Sequence, residues 1–293
     1  MDNVSSKLPL IVIAGPTASG KTSLAINIAK EVGGEIICAD SRTVYKGMDI
    51  GTAKPTKLEQ ELIPHWGLDL VNPDEHFSVA DFKKYAIEKI DEIRSRGNIP
   101  FMVGGTGLYI DSVILDYKFC NKIDKTKRKL LESMTLGQLC NYCNNNNIPL
   151  PENSSNKRYV VNAIERNGII PLRRETPIND VIIVGITTEK ETLMNRIKLR
   201  IGQLLNDGVI DEALSLSKLY GWDNEALKSN AYIVIHDYLL GDISKDDIVS
   251  KLATVDWRLA KRQLTWLRRN NFIHWGSIDD LKVYVLNQLA KHS

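Results

Sequence analysis

The sequence predicts an α/β fold, a parallel sheet flanked by helices and interrupted by a small helical insertion. Three observations predict it. Leu8–Ala14 is an apolar run that ends in a Gly-rich turn. Further short apolar runs alternate with helix-length amphipathic stretches, and one basic, strand-poor segment breaks the alternation. Strands apolar on both faces and separated by helices are the pattern of parallel pairing, because crossover helices cover both sides of the sheet.

The elements follow in order. Leu8–Ala14 reads as a buried strand. A helix starts at Lys21 with Leu24, Ala25, Ile28, Ala29 and Val32 inward, and Gly33-Gly34 stops it. Glu35–Ala39 reads as a second strand. Ser78–Arg96 reads as a helix, since Val79, Phe82, Ala86, Ile90 and Ile93 recur at spacings of three and four. Gly97 ends it, and Ile99–Val103 is a third strand before Gly104-Gly105. Residues 116–158 lack strand-like runs and carry eight basic against four acidic residues, with a polar loop at Asn144–Asn147. Val181–Thr187 returns to the sheet, and the chain from Glu189 is mostly helical. The expected organisation is core at 1–115, helical insertion at 116–158, and the remainder of the core at 159–293.

Composition narrows the class. The 293 residues hold 38 Lys and Arg against 36 Asp and Glu, a net charge of +2, so any nucleic-acid surface has to come from local clustering. Cys38, Cys120, Cys140 and Cys143 are too few for a disulfide scaffold and point to reduced thiols and a cytoplasmic protein. Met1 to Lys7 is polar, unlike a signal peptide, and no apolar run approaches a membrane span.

Gly15-Pro16-Thr17-Ala18-Ser19-Gly20-Lys21-Thr22 fits G-x-x-x-x-G-K-[ST] between a strand and a helix, which makes the sheet P-loop NTPase-like. The glycines let backbone N–H groups wrap a diphosphate at the helix N-terminus, where the partial charge is positive. Lys21 adds a cation, and Thr22 a hydroxyl for Mg²⁺. The loop alone does not choose between a nucleoside triphosphate and another diphosphate.

Further runs are more specific. Asp40-Ser41-Arg42-Thr43-Val44-Tyr45, Gly47–Pro55, Pro64-His65, Asp81-Phe82, Gly104–Tyr109 and Ala260–Trp266 follow the phosphate loop in order. Together they resemble the tRNA dimethylallyltransferases (tRNA isopentenyltransferases). The resemblance is dense over 8–112, thin over 116–250 and clear again at 253–269. It implies that the N6 amine of adenosine 37, beside the anticodon of tRNA, attacks dimethylallyl diphosphate. The partners implied are the anticodon stem-loop and that donor, with Mg²⁺ as cofactor; no membrane is involved, and a monomer is expected. By resemblance Asp40 is the general base, Thr22 and Lys21 steady the leaving diphosphate, and Ser41, Arg42, Thr43 and Thr106 meet the tRNA. Lys54 is a candidate diphosphate or RNA contact.

Two surfaces suit RNA. Over Trp257–Arg269, taken as a helix, Trp257, Ala260, Leu264 and Leu267 share one face, while Arg258, Lys261, Arg262, Arg268 and Arg269 fill an adjoining arc opposed only by Asp256. Such a stripe is commonly a solvated face, and the family motif is what raises Lys261 and Arg262 to tRNA contacts. The insertion around Lys122–Lys129 is the second, with Arg128 matching a family arginine. Arg158, Tyr159, Val160, Val161 and Asn162 correspond to a helix that meets RNA in that family.

Departures stand out as well. Thr43 replaces the usual Gln, Tyr159 and Asn162 replace basic residues, and Ile233 replaces a cation that reaches the diphosphate. Alternatives are a prenyltransferase of free adenine nucleotides, a P-loop kinase, and an RNA-binding protein without catalysis. The basic surfaces argue against the first, and the Asp40–Pro55 run against the second. Cys140-Asn-Tyr-Cys143 has no second pair at zinc-site spacing, and His65 reads as structural.

Overall fold

The computed structural model describes residues 8–119, 125–169 and 172–291. Met1–Lys7, Cys120 and Lys122, all named above, lie outside them. The chain divides into two compact units, one of Met1–Ile114 with Thr176–Ser293 and one of Leu115–Glu175.

The first unit is built on six parallel strands: β1 (Leu10–Ala14), β2 (Gly34–Cys38), β3 (His65–Trp66), β4 (Ile99–Gly104), β5 (Val181–Ile186) and β6 (His274–Gly276). Their order is β3-β2-β4-β1-β5-β6. All five residues of β1 are fully buried, as a central strand covered on both faces must be. The short β3 and β6 were not expected from the sequence; each pairs at an outer edge. The register Ala14↔Gly104 and Cys38↔Val103 brings the carboxyl ends of β1, β2 and β4 side by side, the rim where open α/β sheets bind ligands.

The first unit's helices are α1 (Lys21–Val32), α2 (Lys57–Leu62), α3 (Val79–Ser95) and α4 (Gly107–Ile114). Beyond the second unit the chain adds two more strands, β5 and β6, and further helices. α1 ends at Gly33 in the left-handed region, as expected of a C-terminal glycine. Ser78 caps α3 through a box with Asp81, and Phe82, Ala86, Ile90 and Ile93 are buried beneath it. Phe82 stacks on Tyr109 of α4 at 4.1 Å; burying one such side chain stabilises the fold by about 1.5–3 kcal/mol.

The second unit holds α5 (Lys125–Ser133), α6 (Leu136–Asn145) and α7 (Lys157–Glu165) around Leu131, Leu139, Cys143, Val160, Val161 and Ile164. This unit corrects the expected boundary. It runs to Glu175 rather than closing at 158, because the apolar face of α7 is part of its core. The later helices of the first unit are α8 (Lys190–Asn206), α9 (Val209–Tyr220), α10 (Asn230–Leu239), α11 (Asp247–Leu267) and α12 (Ile278–Ala290). No helix among the described residues is long and apolar enough to cross a membrane.

Candidate active site

A cleft of about 530 Å³ opens at the carboxyl ends of β1, β2 and β4. The phosphate loop supplies Thr17, Ala18, Gly20, Lys21 and Thr22 to its lining, and the turn after β2 supplies Asp40, Ser41, Arg42 and Thr43. Gly104, Gly105 and Thr106 follow β4, and Arg262 and Gln263 come from α11. Four segments far apart in sequence thus meet at one rim.

Backbone conformation explains the loop. Gly20 sits at φ 92° directly before α1, a conformation that suits glycine, so the first N–H groups of α1 face the cleft rather than a side-chain cap. Gly104 is needed for a different reason: a Cβ there would lie 2.0 Å from the carbonyl oxygen of Ala39. That close approach keeps β2 and β4 in register just before Asp40.

Lys21 donates from Nζ to the Pro16 carbonyl at 2.6 Å. Burial pushes its ammonium down to about 8; Asp40 opposes that shift and Arg200 adds to it. The ammonium keeps its charge at neutral pH against the cost of burial, and an arriving anion offsets that cost. Asp40 accepts the Arg42 N–H at 2.8 Å through Oδ1, and the Ser41 N–H donates to Thr106 Oγ1 at 3.2 Å. These bonds fix the turn and hold the carboxylate at the cleft that the phosphate loop also lines.

Helix α11 is tied to the rim through small residues. A Cβ on Gly107 would overlap Trp266, whose Nε1 donates to Asp111 at 2.7 Å, and the Thr17 N–H donates to Gln263 Oε1 at 2.8 Å. Lys261 and Arg262 are exposed on this helix, and Arg262 reaches the cleft.

Several expected residues sit elsewhere. Lys54 is neither a free diphosphate contact nor a surface lysine; its side chain is 4% exposed, and its Nζ is held at 2.6 Å by Tyr45 O, Asp49 and Asp69. Asp256 does not oppose the basic stripe. It is buried and accepts from Arg200 at 2.6 Å and Asn230 at 2.8 Å. Val160 and Val161 are core residues, at 0% and 1% exposure, and so are corrected as RNA contacts. Arg128 is engaged by Glu132 and Glu165, both at 2.8 Å, with Asn162 beside it at 3.5 Å. Arg158 and Tyr159 are exposed. Thr43 is buried with an unpartnered hydroxyl, and Arg42 turns its guanidinium to the Glu225 carbonyl at 3.1 Å. Ile233 is exposed and does not line the cleft. His65 does line it, with Nδ1 at 2.8 Å from Ile63 O. Among the described residues no group of His, Cys, Asp and Glu forms a metal cluster, and Cys140–Cys143 carries none.

Sequence reasoning missed Arg200 and Glu212. Arg200 of α8 lines the cleft and donates to Thr17 Oγ1 of the phosphate loop at 2.5 Å. Glu212 of α9 accepts from three consecutive backbone N–H groups, Asp49, Ile50 and Gly51, each at 2.8 Å. Isolated charges on amphipathic helices read as solvated faces, and backbone partners leave no mark in a sequence.

Known proteins place this cleft in context. A family described as IPP transferase matches residues 43–270, and one described as isopentenyl transferase matches residues 8–65. A tRNA dimethylallyltransferase of Acetivibrio thermocellus is 41% identical over 96% of this chain and 93% of its own length. One from Bacillus cereus is 38% identical over 92% and 90%. The crystal structure of a tRNA isopentenylpyrophosphate transferase from Bacillus halodurans covers 98% of each chain at 34% identity, with a TM-score of 0.75.

Proposed function

Because the chain belongs to the tRNA dimethylallyltransferase family, we propose that its cleft transfers a dimethylallyl group from dimethylallyl diphosphate to the N6 amine of adenosine 37 in tRNA. The observation that carries this reading is a diphosphate cradle sharing one cleft with the Asp40 carboxylate, the cleft's other carboxylate, Asp256, being held by Arg200 and Asn230. Lys21, Thr22 and Asp40 all line it.

The amine of adenine is a poor nucleophile because its lone pair is delocalised into the ring. In the proposed step that pair forms a bond to C1 of the donor, and the C1–O bond breaks with its electrons leaving on diphosphate. The N6 proton passes to the Asp40 carboxylate. Asp40 stays in place because the Arg42 N–H fixes one oxygen, which leaves the other for the proton. Positioned bases of this kind contribute about 10²–10⁴ in rate. Lys21 and the N–H groups at the start of α1 stabilise the charge on the leaving group.

The donor set also fits Mg²⁺. Thr22 offers a hydroxyl on the cleft, a hard oxygen ligand that leaves room for substrate phosphates and water. When bound, Mg²⁺ would neutralise charge on the diphosphate. Lys261 and Arg262 then meet phosphates of the anticodon stem-loop.

The test is incubation with labelled dimethylallyl diphosphate and either tRNA or AMP, ADP and ATP, followed by mass spectrometry of nucleosides. A five-carbon addition to adenosine from tRNA is the expected result. Addition to free nucleotides alone, or phosphoryl transfer from ATP, would overturn the reading.

A further inference from the structure

Loops that form the wall of a cleft need something to hold them, and here one carboxylate does most of it. Glu212 Oε2 accepts from the Asp49 and Ile50 N–H groups, and Oε1 accepts from Gly51 N–H, all at 2.8 Å. Oε1 also accepts from the Tyr232 hydroxyl at 2.8 Å. Three consecutive N–H groups form a concave anion site, and Glu212 fills it from a helix more than 160 residues away in sequence.

The partners of Glu212 belong to two segments far apart in sequence. Gly51, Thr52 and Ala53 line the cleft, and so do Ser229, Asn230 and Ala231, beside Tyr232. Tyr232 is fully buried, and a Cβ on Gly51 would lie 2.6 Å from its ring, so the turn lies flat against the phenol. From its inner side Lys54 pins the same turn through Tyr45 O, Asp49 and Asp69. Without Glu212, three adjacent N–H groups and a buried hydroxyl lose their acceptor together, while Lys54 keeps the turn attached.

From this geometry we infer that Glu212 is a positioning residue for the transfer step, a latch that fixes the Asp49–Gly51 turn against α10. The inference rests on the proposed transferase reading and deepens it. Glu212 touches no substrate in this role. It sets the spacing of the walls between which donor and adenine approach, and sub-ångström errors there are costly because reacting atoms must meet within a narrow range.

Single-turnover transfer with enzyme in excess tests it, since the rate constant reports positioning and the amplitude reports the folded fraction. In Glu212→Ala the rate constant is expected to fall ten- to a hundredfold with the amplitude retained. Glu212→Gln keeps one accepting oxygen for Asp49 and Ile50, and is expected to recover at least fivefold of that loss. A Glu212→Ala rate constant within twofold of wild type, with only a lower melting temperature, overturns the inference. If Glu212→Ala does not fold, Tyr232→Phe decides, because it removes one of the four bonds. A two- to tenfold lower rate constant supports the latch, and an unchanged one overturns it. Absence of transfer by the wild-type protein would instead overturn the transferase reading beneath it.

Discussion

Lys21→Met separates the cost of the phosphate loop from its use. Burial lowers the Lys21 ammonium from 10.5 to about 8, so at neutral pH the free protein holds a charge it would rather lose. At about 1.4 kcal/mol for each tenfold change in acidity, that difference amounts to about 3 kcal/mol of destabilisation. Removing the amine also removes its hydrogen bond to Pro16 O, which offsets about 1 kcal/mol. Lys21→Met is therefore expected to be more stable than wild type by about 2 kcal/mol at pH 7. The penalty fades as pH rises. Between about 8 and 10.5 the unfolded chain binds more protons at this group than the folded chain does, so wild-type stability rises with pH in that window. The gap between the two proteins should narrow by about 2 kcal/mol between pH 7 and pH 10. Urea unfolding of both proteins at the two pH values measures it, and the difference cancels groups that titrate alike in each. The same variant should lose binding of inorganic diphosphate at pH 7. A Lys21→Met protein no more stable than wild type at pH 7, or a gap that does not change with pH, would refute the account of a strained, buried cation.

Asp40→Asn keeps the oxygen that accepts the Arg42 N–H but cannot take the amine proton. Single-turnover transfer should fall by about 10²–10⁴ while tRNA binding persists, and near-normal turnover would remove Asp40 as the base. Arg262→Ala removes an exposed cation at the cleft rim. It should weaken tRNA binding and shrink the slope of log K against log salt by about 0.7–0.9, read by filter binding across salt concentrations. Arg128→Ala should leave that slope unchanged and instead destabilise the second unit by about 1.5–3 kcal/mol, measured by denaturant unfolding. Its guanidinium is paired with Glu132 and with Glu165, whose carboxyl burial pushes up.

The strands that carry the site were legible because each is a run of apolar residues closed by a Gly-rich turn. β3 and β6 were not, because His65-Trp66 and His274-Trp275-Gly276 are too short and too mixed to show a period. The phosphate loop and Asp40 were legible for another reason: their spacing is a local property of the chain, set by the turn after one strand. Lys54 shows where this fails. It lies within a recognisable run, yet its role is decided by Asp69, fifteen residues on, and by a carbonyl at Tyr45 that no side-chain pattern encodes. Val160 and Val161 could have been placed correctly. With Ile164 they make a helical apolar stripe, a sign of core that resemblance to an RNA-contacting helix obscured.

The departure at Ile233 gains meaning from the geometry around it. An isoleucine in place of a cation leaves α10 without a charge to offer the diphosphate, and Ile233 is in any case exposed and outside the cleft lining. Arg200 of α8 supplies a guanidinium at the same cleft, bonded to Thr17 of the phosphate loop and backed by Asp256. Asp256 in turn holds Asn230, the first residue of α10, at 2.8 Å. A charge on α8 can thus stand in for one on α10 because a single buried carboxylate fixes both helices to the phosphate loop. Local charge at such a site depends on which helix can reach the rim with its charge balanced, more than on which position in the sequence carries it.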